Sequence, residues 1–233
     1  MAVTPVHPTQ PAAGEPAELP AFRRPTEADA VALAREMFLE GERVDMNAVA
    51  ARLGVSRATL HRWVGTREHL LDRVLGGLAG EFFDEGLARA RERPDDAIAE
   101  LARALVAATS GFAPLRGFVA REPELALRLL LGDRGAVRRQ VGDGIQALVE
   151  EVAPDEADSL RGFSDTLAQV GIAVEWATIV AGDEPSAERI AQIARALLVG
   201  GRAGELPLSA CRGSRGQDVT SAVPVTEQPA KLP

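Results

Sequence analysis

Between Val55 and Arg67 the chain carries three arginines, Arg57, Arg62 and Arg67, and no acidic residue. A guanidinium is a planar fork of N–H donors, so Arg57 can serve guanine O6 and N7 together. Ala58 and Thr59 beside it are small enough for close approach, and either can offer a methyl group to thymine. The hydroxyl of Thr66 and the guanidinium of Arg67, together with free backbone N–H groups at a helix start, suit a phosphate. The chemistry on offer is recognition of a nucleic-acid duplex, with base edges met by one turn of helix and the backbone by the next.

Those side chains share a face only if a short helix carries them and a second helix holds it. Asp45 can cap one helix, with Met46, Val49, Ala50 and Leu53 on its buried face and Gly54 as its stop. Ser56 can cap the next, through Trp63, in which Val55 and Leu60 turn inward and Arg57, Ala58, Thr59, His61 and Arg62 turn out. This is the layout of a helix-turn-helix over Asp45 to Val64. Upstream, Thr26 with Asp29 marks a helix start, and Ala30, Leu33, Ala34, Met37 and Phe38 form its buried stripe as far as Gly41. Downstream, Gly65-Thr66 opens a long fourth helix burying Leu70, Leu71, Val74, Leu75, Leu78 and Phe82. The same spacing also fits a plain helical hairpin with a solvated Arg face, or a helical protein-interaction module whose helix-turn-helix is only a scaffold.

Charge supports the duplex reading by its distribution and not by its total. The net charge is -8, yet residues 21–75 hold nine Arg against eight acids, while residues 76–233 hold 17 basic and 24 acidic residues. Basic charge is almost wholly Arg, Lys231 being the single Lys. Hydrophobic residues are 46% of the 233, aromatics 4%, and Tyr is absent, so with Ala, Leu and Arg dominant an all-α fold is expected.

Beyond Pro94 further apolar stripes follow: Ile98, Leu101, Leu105 and Val106; Leu125, Leu129 and Leu130 after Pro123; then Val137, Val141, Ile145, Leu148 and Val152. The next helix is apolar twice over, with Leu160, Phe163, Leu167, Val170, Val174 and Ala177 on one face and Ile172, Trp176, Ile179 and Val180 on another. A helix apolar on two faces must bury both, one against its own domain and the other against a partner subunit, which would meet helices about 156–182 and 186–200. The last helix carries Ile190, Ile193, Ala194, Leu197 and Leu198. Four segments are expected: disordered 1–24, a DNA-binding domain 25–75, a helical domain 76–201, and a disordered tail 202–233.

Catalysis and metal chemistry find no support. His7 lies in the lead-in, His61 and His69 on the DNA-reading head, and the single Cys211 in a Gly/Ser-rich tail. No cofactor and no metal are expected. One cysteine permits no intrachain disulfide, no signal-peptide pattern opens the chain, and no apolar run reaches the ~18 residues of a span. A cytoplasmic location with no membrane partner is expected.

The stretch Val49-Ala-Ala-Arg-Leu-Gly-Val-Ser-Arg-Ala-Thr-Leu-His-Arg-Trp-Val-Gly-Thr-Arg-Glu-His-Leu-Leu71 closely resembles the DNA-binding head of TetR-family regulators, over roughly residues 26–75. Arg121-Glu-Pro-Glu-Leu-Ala-Leu-Arg-Leu-Leu-Leu131 and Val170-Gly-Ile-Ala-Val-Glu-Trp-Ala-Thr-Ile-Val-Ala-Gly182 resemble the lactone-responsive QsdR-like subgroup. The resemblance implies a homodimer that binds a palindromic DNA operator and a small-molecule inducer, with 76–201 as its ligand-binding and dimerisation domain. Carried over residue by residue, the DNA-contacting set is Ser56, Arg57, Ala58, Thr59, His61, Arg62, Trp63, Thr66 and Arg67.

Three of these depart from the family's pattern. His61 stands where a Tyr usually contacts phosphate; an imidazole is shorter and histidines change charge near neutral pH, so that contact could weaken, become pH-dependent, or pass to Thr66 and Arg67. Trp63 stands where His or Tyr is common, either packing beneath the motif or reaching a phosphate through its indole N–H. Arg67 replaces a common lysine and keeps the charge.

The resemblance also implies an inducer cavity among the helices from about 95 to 182. Candidate walls are Phe112, Leu115, Phe118, Phe163 and Trp176; candidate orienting groups are Gln146, Gln169 and Glu175. For any one of them taken singly, core or dimer packing is the favoured role. A carboxylate at 175, amid Val174, Trp176 and Ile179, must find a partner or stay neutral.

Overall fold

The computed structural model describes residues 23–132, 135–158 and 160–203, and among them there is no strand. Ten α-helices follow one another: α1 (Glu27–Leu39), α2 (Met46–Leu53), α3 (Arg57–Val64), α4 (Arg67–Arg91), α5 (Ala97–Ser110), α6 (Ala113–Arg121), α7 (Pro123–Leu131), α8 (Ala136–Val152), α9 (Arg161–Val180) and α10 (Ala187–Arg202). The all-α expectation is met. The segments expected to be disordered fall outside the described residues, apart from Arg23, Arg24, Arg202 and Ala203; so do His7, Cys211 and Lys231.

The first four helices start where the sequence marks them. Asp29 N–H donates to Thr26 Oγ1 at 3.4 Å and Thr26 N–H to Asp29 Oδ2 at 2.7 Å, a reciprocal cap that satisfies two otherwise orphaned donors of α1. Asp45 accepts from Asn47 N–H and Ala48 N–H at the head of α2. Gly54 ends that helix at φ +66°, a left-handed conformation that costs a residue with a Cβ roughly 1–2 kcal/mol.

Helix α4, 25 residues and so roughly 37 Å long, runs from the N-terminal helices into the rest of the protein. Ion pairs Arg73–Glu27 and Arg35–Glu81 bind α1 along it. Further on it packs between α5 and α8, while α10 covers α5 and α9 covers α8. Gly144 of α8 allows the closest of these approaches, because a Cβ there would stand 2.3 Å from Cε1 of Phe83. Asp96, Arg103, Glu188 and Arg195 join the start of α5 to α10, with Arg103 Nε–Glu188 and Arg195 Nε–Asp96 both at 2.8 Å.

Several details differ from the sequence-based expectation. Phe83, not Phe82, is the buried ring of α4; Phe82 is half-buried and meets the edge of Phe112 at 5.1 Å between centroids. Helix α6 carries no long apolar stripe and was not anticipated as an element; Pro114 in its first turn starts it, where a missing N–H costs nothing. On α9 the buried side runs through Phe163, Leu167, Ile172 and Trp176, leaving Val170 and Val174 half-buried and Ala177 exposed. Val180 is 48% and Val199 of α10 66% exposed.

Candidate nucleic-acid interface and ligand cavity

Helix α3 is held by its inward side. Leu60 and Val64 are buried, and Val55 and Trp63 are half-buried against the same core. Ser56 Oγ accepts from Thr59 N–H at 3.0 Å and lies 2.9 Å from Thr59 Oγ1, so both hydroxyls are engaged in the cap. Thr59 therefore offers a partner its methyl group and the remaining capacity of its hydroxyl. Arg57 and His61 form one row on the outward side, Ala58 and Arg62 the next, each pair four residues apart, and all four are exposed. This surface has the chemistry expected of it: two guanidiniums, an imidazole and two small side chains with no carboxylate in the helix. Trp63 faces the core, which favours packing over phosphate contact.

Thr66 caps α4, accepting from His69 N–H at 3.3 Å, and is exposed. Arg67 does not stand ready for a phosphate. Its guanidinium lies flat on the Glu122 carboxylate, with Nη1–Oε2 at 2.8 Å and Nη2–Oε1 at 2.7 Å, and its Nε donates to the Val44 carbonyl. The phosphate anchor expected at Arg67 is thus corrected: the planar fork is already filled by a carboxylate, the arrangement it matches best. Hydrogen bonds from Arg67 hold the Glu122 carboxyl below the usual carboxylate range against partial burial, with Arg43 adding to the effect. Nothing local in the sequence signals this pair, whose members stand 55 positions apart.

A cavity of about 100 Å³ lies between α4, α5, α8 and α9, with Leu115 of α6 and Ile190 of α10 at its margins. Of the eight residues expected there, Phe112, Leu115, Glu175 and Trp176 line it. The other four do not. Phe118 is buried against Phe38, ring edge to face at 5.7 Å, and so joins α6 to α1. Phe163 is wholly buried, and Gln169 is exposed. Gln146 bridges α8 to α9, accepting from Ser164 Oγ at 3.0 Å and donating to Glu150 at 2.9 Å.

The walls missed from sequence come mainly from α4, α5 and α8, among them Leu78, Phe82, Leu105, Thr109 and Val141. Their stripes were visible, but a stripe does not tell a packed wall from a hollow one. Glu175 is 6% exposed, with Thr109 Oγ1 against its Oε1. Burial pushes its carboxyl up to about 7, opposed by the Thr109 hydrogen bond. Among the described residues no group of three or more His, Cys, Asp or Glu side chains is placed to hold a metal. No single helix among them is long and apolar enough to cross a membrane.

Residues 93–199 match the family model described as "Tetracyclin repressor-like, C-terminal domain". In fold, the chain is similar to the TetR-family transcriptional repressor QsdR of R. erythropolis, with a TM-score of 0.65 and 23% identity over 74% of this chain and 94% of that one. It is also similar to the TetR-family repressor AlkX of Dietzia sp. strain DQ12-45-1b, implicated in biodegradation of n-alkanes, with a TM-score of 0.55 and 22% identity over 78% of this chain and 97% of that one. No curated protein matches the chain in sequence. Residues 93–199 thus match a tetracyclin-repressor-like C-terminal domain, and the chain shares its fold with two TetR-family repressors.

Proposed function

We propose that this protein is a TetR-family transcriptional regulator, a homodimeric repressor whose α3 helices read a palindromic operator and whose cavity binds a small-molecule inducer. The observation that carries the DNA reading is the outward face of α3, where Arg57, Ala58, His61 and Arg62 are exposed on a helix with no acid. Arg57, in the first turn, is the side chain best set to reach a base edge, since recognition helices enter the major groove by their N-terminal residues. Ser56, Thr59 and Thr66 position the helix ends, Arg62 and His61 meet the backbone, and Trp63 packs beneath.

The dimer reading is supported by the half-buried Val170 and Val174 and the exposed Val180 on α9, and by Val199 on α10. An apolar surface of this kind on consecutive helices favours a symmetric partner. The inducer reading is supported by the apolar cavity beside α4, the helix that begins directly after α3. A ligand that binds better to one spacing of the two heads shifts the population toward that spacing. Likeness to the QsdR-like subgroup brings lactones into the range of ligands to be tried.

The experiment is retention of genomic DNA fragments by the purified full chain, followed by a mobility-shift assay on the retained fragments at rising salt. The reading expects a common inverted repeat and affinity that falls steeply with salt. Retention of no DNA fragment would favour the interaction-module alternative.

A further inference from the structure

Among the described residues that line the cavity, Glu175 is the only ionisable side chain. Its described hydrogen-bond partner is the Thr109 hydroxyl, which has one proton and also faces the carbonyls of Leu105 at 2.8 Å and Val106 at 3.3 Å. An ionised carboxylate accepts at roughly four lone-pair positions, so a share in one hydroxyl leaves it far from satisfied. No Arg, Lys or His lines the space, and without a counter-charge the empty cavity favours the neutral acid. The empty cavity thus holds a carboxylate and no positive charge among its described lining residues. Phe82, Phe112 and Trp176 border the same space, and aromatic faces attract cations.

We propose that this cavity takes a small, mostly apolar amine, bound as its ammonium ion with its N–H groups donated to the Glu175 carboxylate. The inference rests on reading the cavity as the inducer site. A lactone brings acceptors only, to a lining whose side-chain donors are the shared Thr109 hydroxyl, the Trp176 indole N–H and Glu175's own proton, with no positive charge among them. An ammonium brings three donors and the missing positive charge, and it holds Glu175 ionised, the acid's proton passing to solvent. Size is limited as well: about 100 Å³ is less than the ~150 Å³ apolar cavity known to hold benzene, so a short or single-ring ligand is indicated.

The test is calorimetric titration of the full chain with hexylamine, hexan-1-ol and γ-caprolactone, at pH 6 and pH 8, for the parent and Glu175→Gln. Hexylamine is expected to bind at least tenfold tighter than either neutral probe at pH 8. Its affinity is expected to rise up to roughly tenfold from pH 6 to pH 8, as Glu175 ionises while the amine stays protonated. Glu175→Gln is expected to lose that advantage and the pH dependence, while an unchanged helical circular-dichroism spectrum and a cooperative unfolding transition show that the variant is folded.

If the alcohol or the lactone binds as tightly as the amine, or Glu175→Gln binds the amine unchanged, the amine proposal fails and the cavity remains a ligand site. If none of the three binds the parent, the proposal and the inducer reading fall together.

Discussion

Arg67, the first residue of α4, grips Glu122, the residue between α6 and α7, through two parallel hydrogen bonds of 2.8 and 2.7 Å. Arg43 lies 3.5 Å from the same carboxylate, so Glu122 ties the start of α4 and the loop before α2 to the α6–α7 corner. Phe38 and Phe118 make an apolar contact between α1 and α6 alongside it.

Both side chains of the pair are about one-fifth exposed, at 21% and 20%, so removing one leaves the other partly buried and uncompensated. Glu122→Ala is expected to lower stability by about 1–3 kcal/mol in urea unfolding. Because the folded pKa of Glu122 is depressed, its contribution is present above the ordinary carboxylate pKa and is lost as pH falls through the folded value. The parent should therefore lose more stability than Glu122→Gln on going from pH 6 to pH 3. Equal losses in the two proteins would show that the pair does not couple folding to pH.

Glu175 has the opposite sign. Its carboxyl is raised to about 7, so the unfolded chain binds fewer protons than the folded chain between the ordinary carboxylate pKa and that value. The favourable neutral form is fully present at low pH and is lost as pH rises through about 7, at a total cost of roughly 3 kcal/mol. Glu175→Gln should abolish that slope and be the more stable protein at pH 8. Parallel pH–stability curves for the two would contradict the buried, uncompensated state of Glu175.

Gly54 tests the turn between α2 and α3. A Cβ there meets no heavy atom within 4 Å, so the cost of Gly54→Ala is conformational alone, expected at about 1–2 kcal/mol by chemical denaturation. Gly54→Asn should cost less, since Asn tolerates the left-handed region better. An Ala variant as stable as the parent would mean that the turn is not held at positive φ.

Asp45→Ala removes the cap of α2 without touching the outward face of α3. A loss of about 1 kcal/mol in thermal or urea unfolding is expected, with the DNA sequence preference unchanged. A changed preference would show that Asp45 does more than hold α2.

The helix-turn-helix was legible because its signals are local: Asp45, Gly54 and Ser56 set helix ends, and Val55 and Leu60 mark the inward side of α3. The capping box of Thr26 and Asp29 was legible for the same reason. What could not be read depends on distant partners. Arg67 looks like a phosphate ligand until Glu122 is placed beside it, and Gln146 and Phe163 look like cavity residues until α8 and α9 close around them. Phe82 and Phe83 are adjacent aromatics on one helix, and only the approach of Gly144 decides which ring is buried. Glu175 was legible as a problem, a carboxylate in an apolar run, but its Thr109 partner lies 66 residues away.

The central claim is that the outward face of α3 reads DNA sequence, and Arg57 tests it most directly. Duplexes selected from a random pool by the full chain should converge on an inverted repeat with half-sites about 10 base pairs apart, or a multiple of that spacing. In fluorescence anisotropy at fixed salt, Arg57→Ala should bind the selected duplex at least about tenfold more weakly and with relaxed preference at one base position of each half-site. Equal affinity and an unchanged selected sequence for Arg57→Ala would contradict the account.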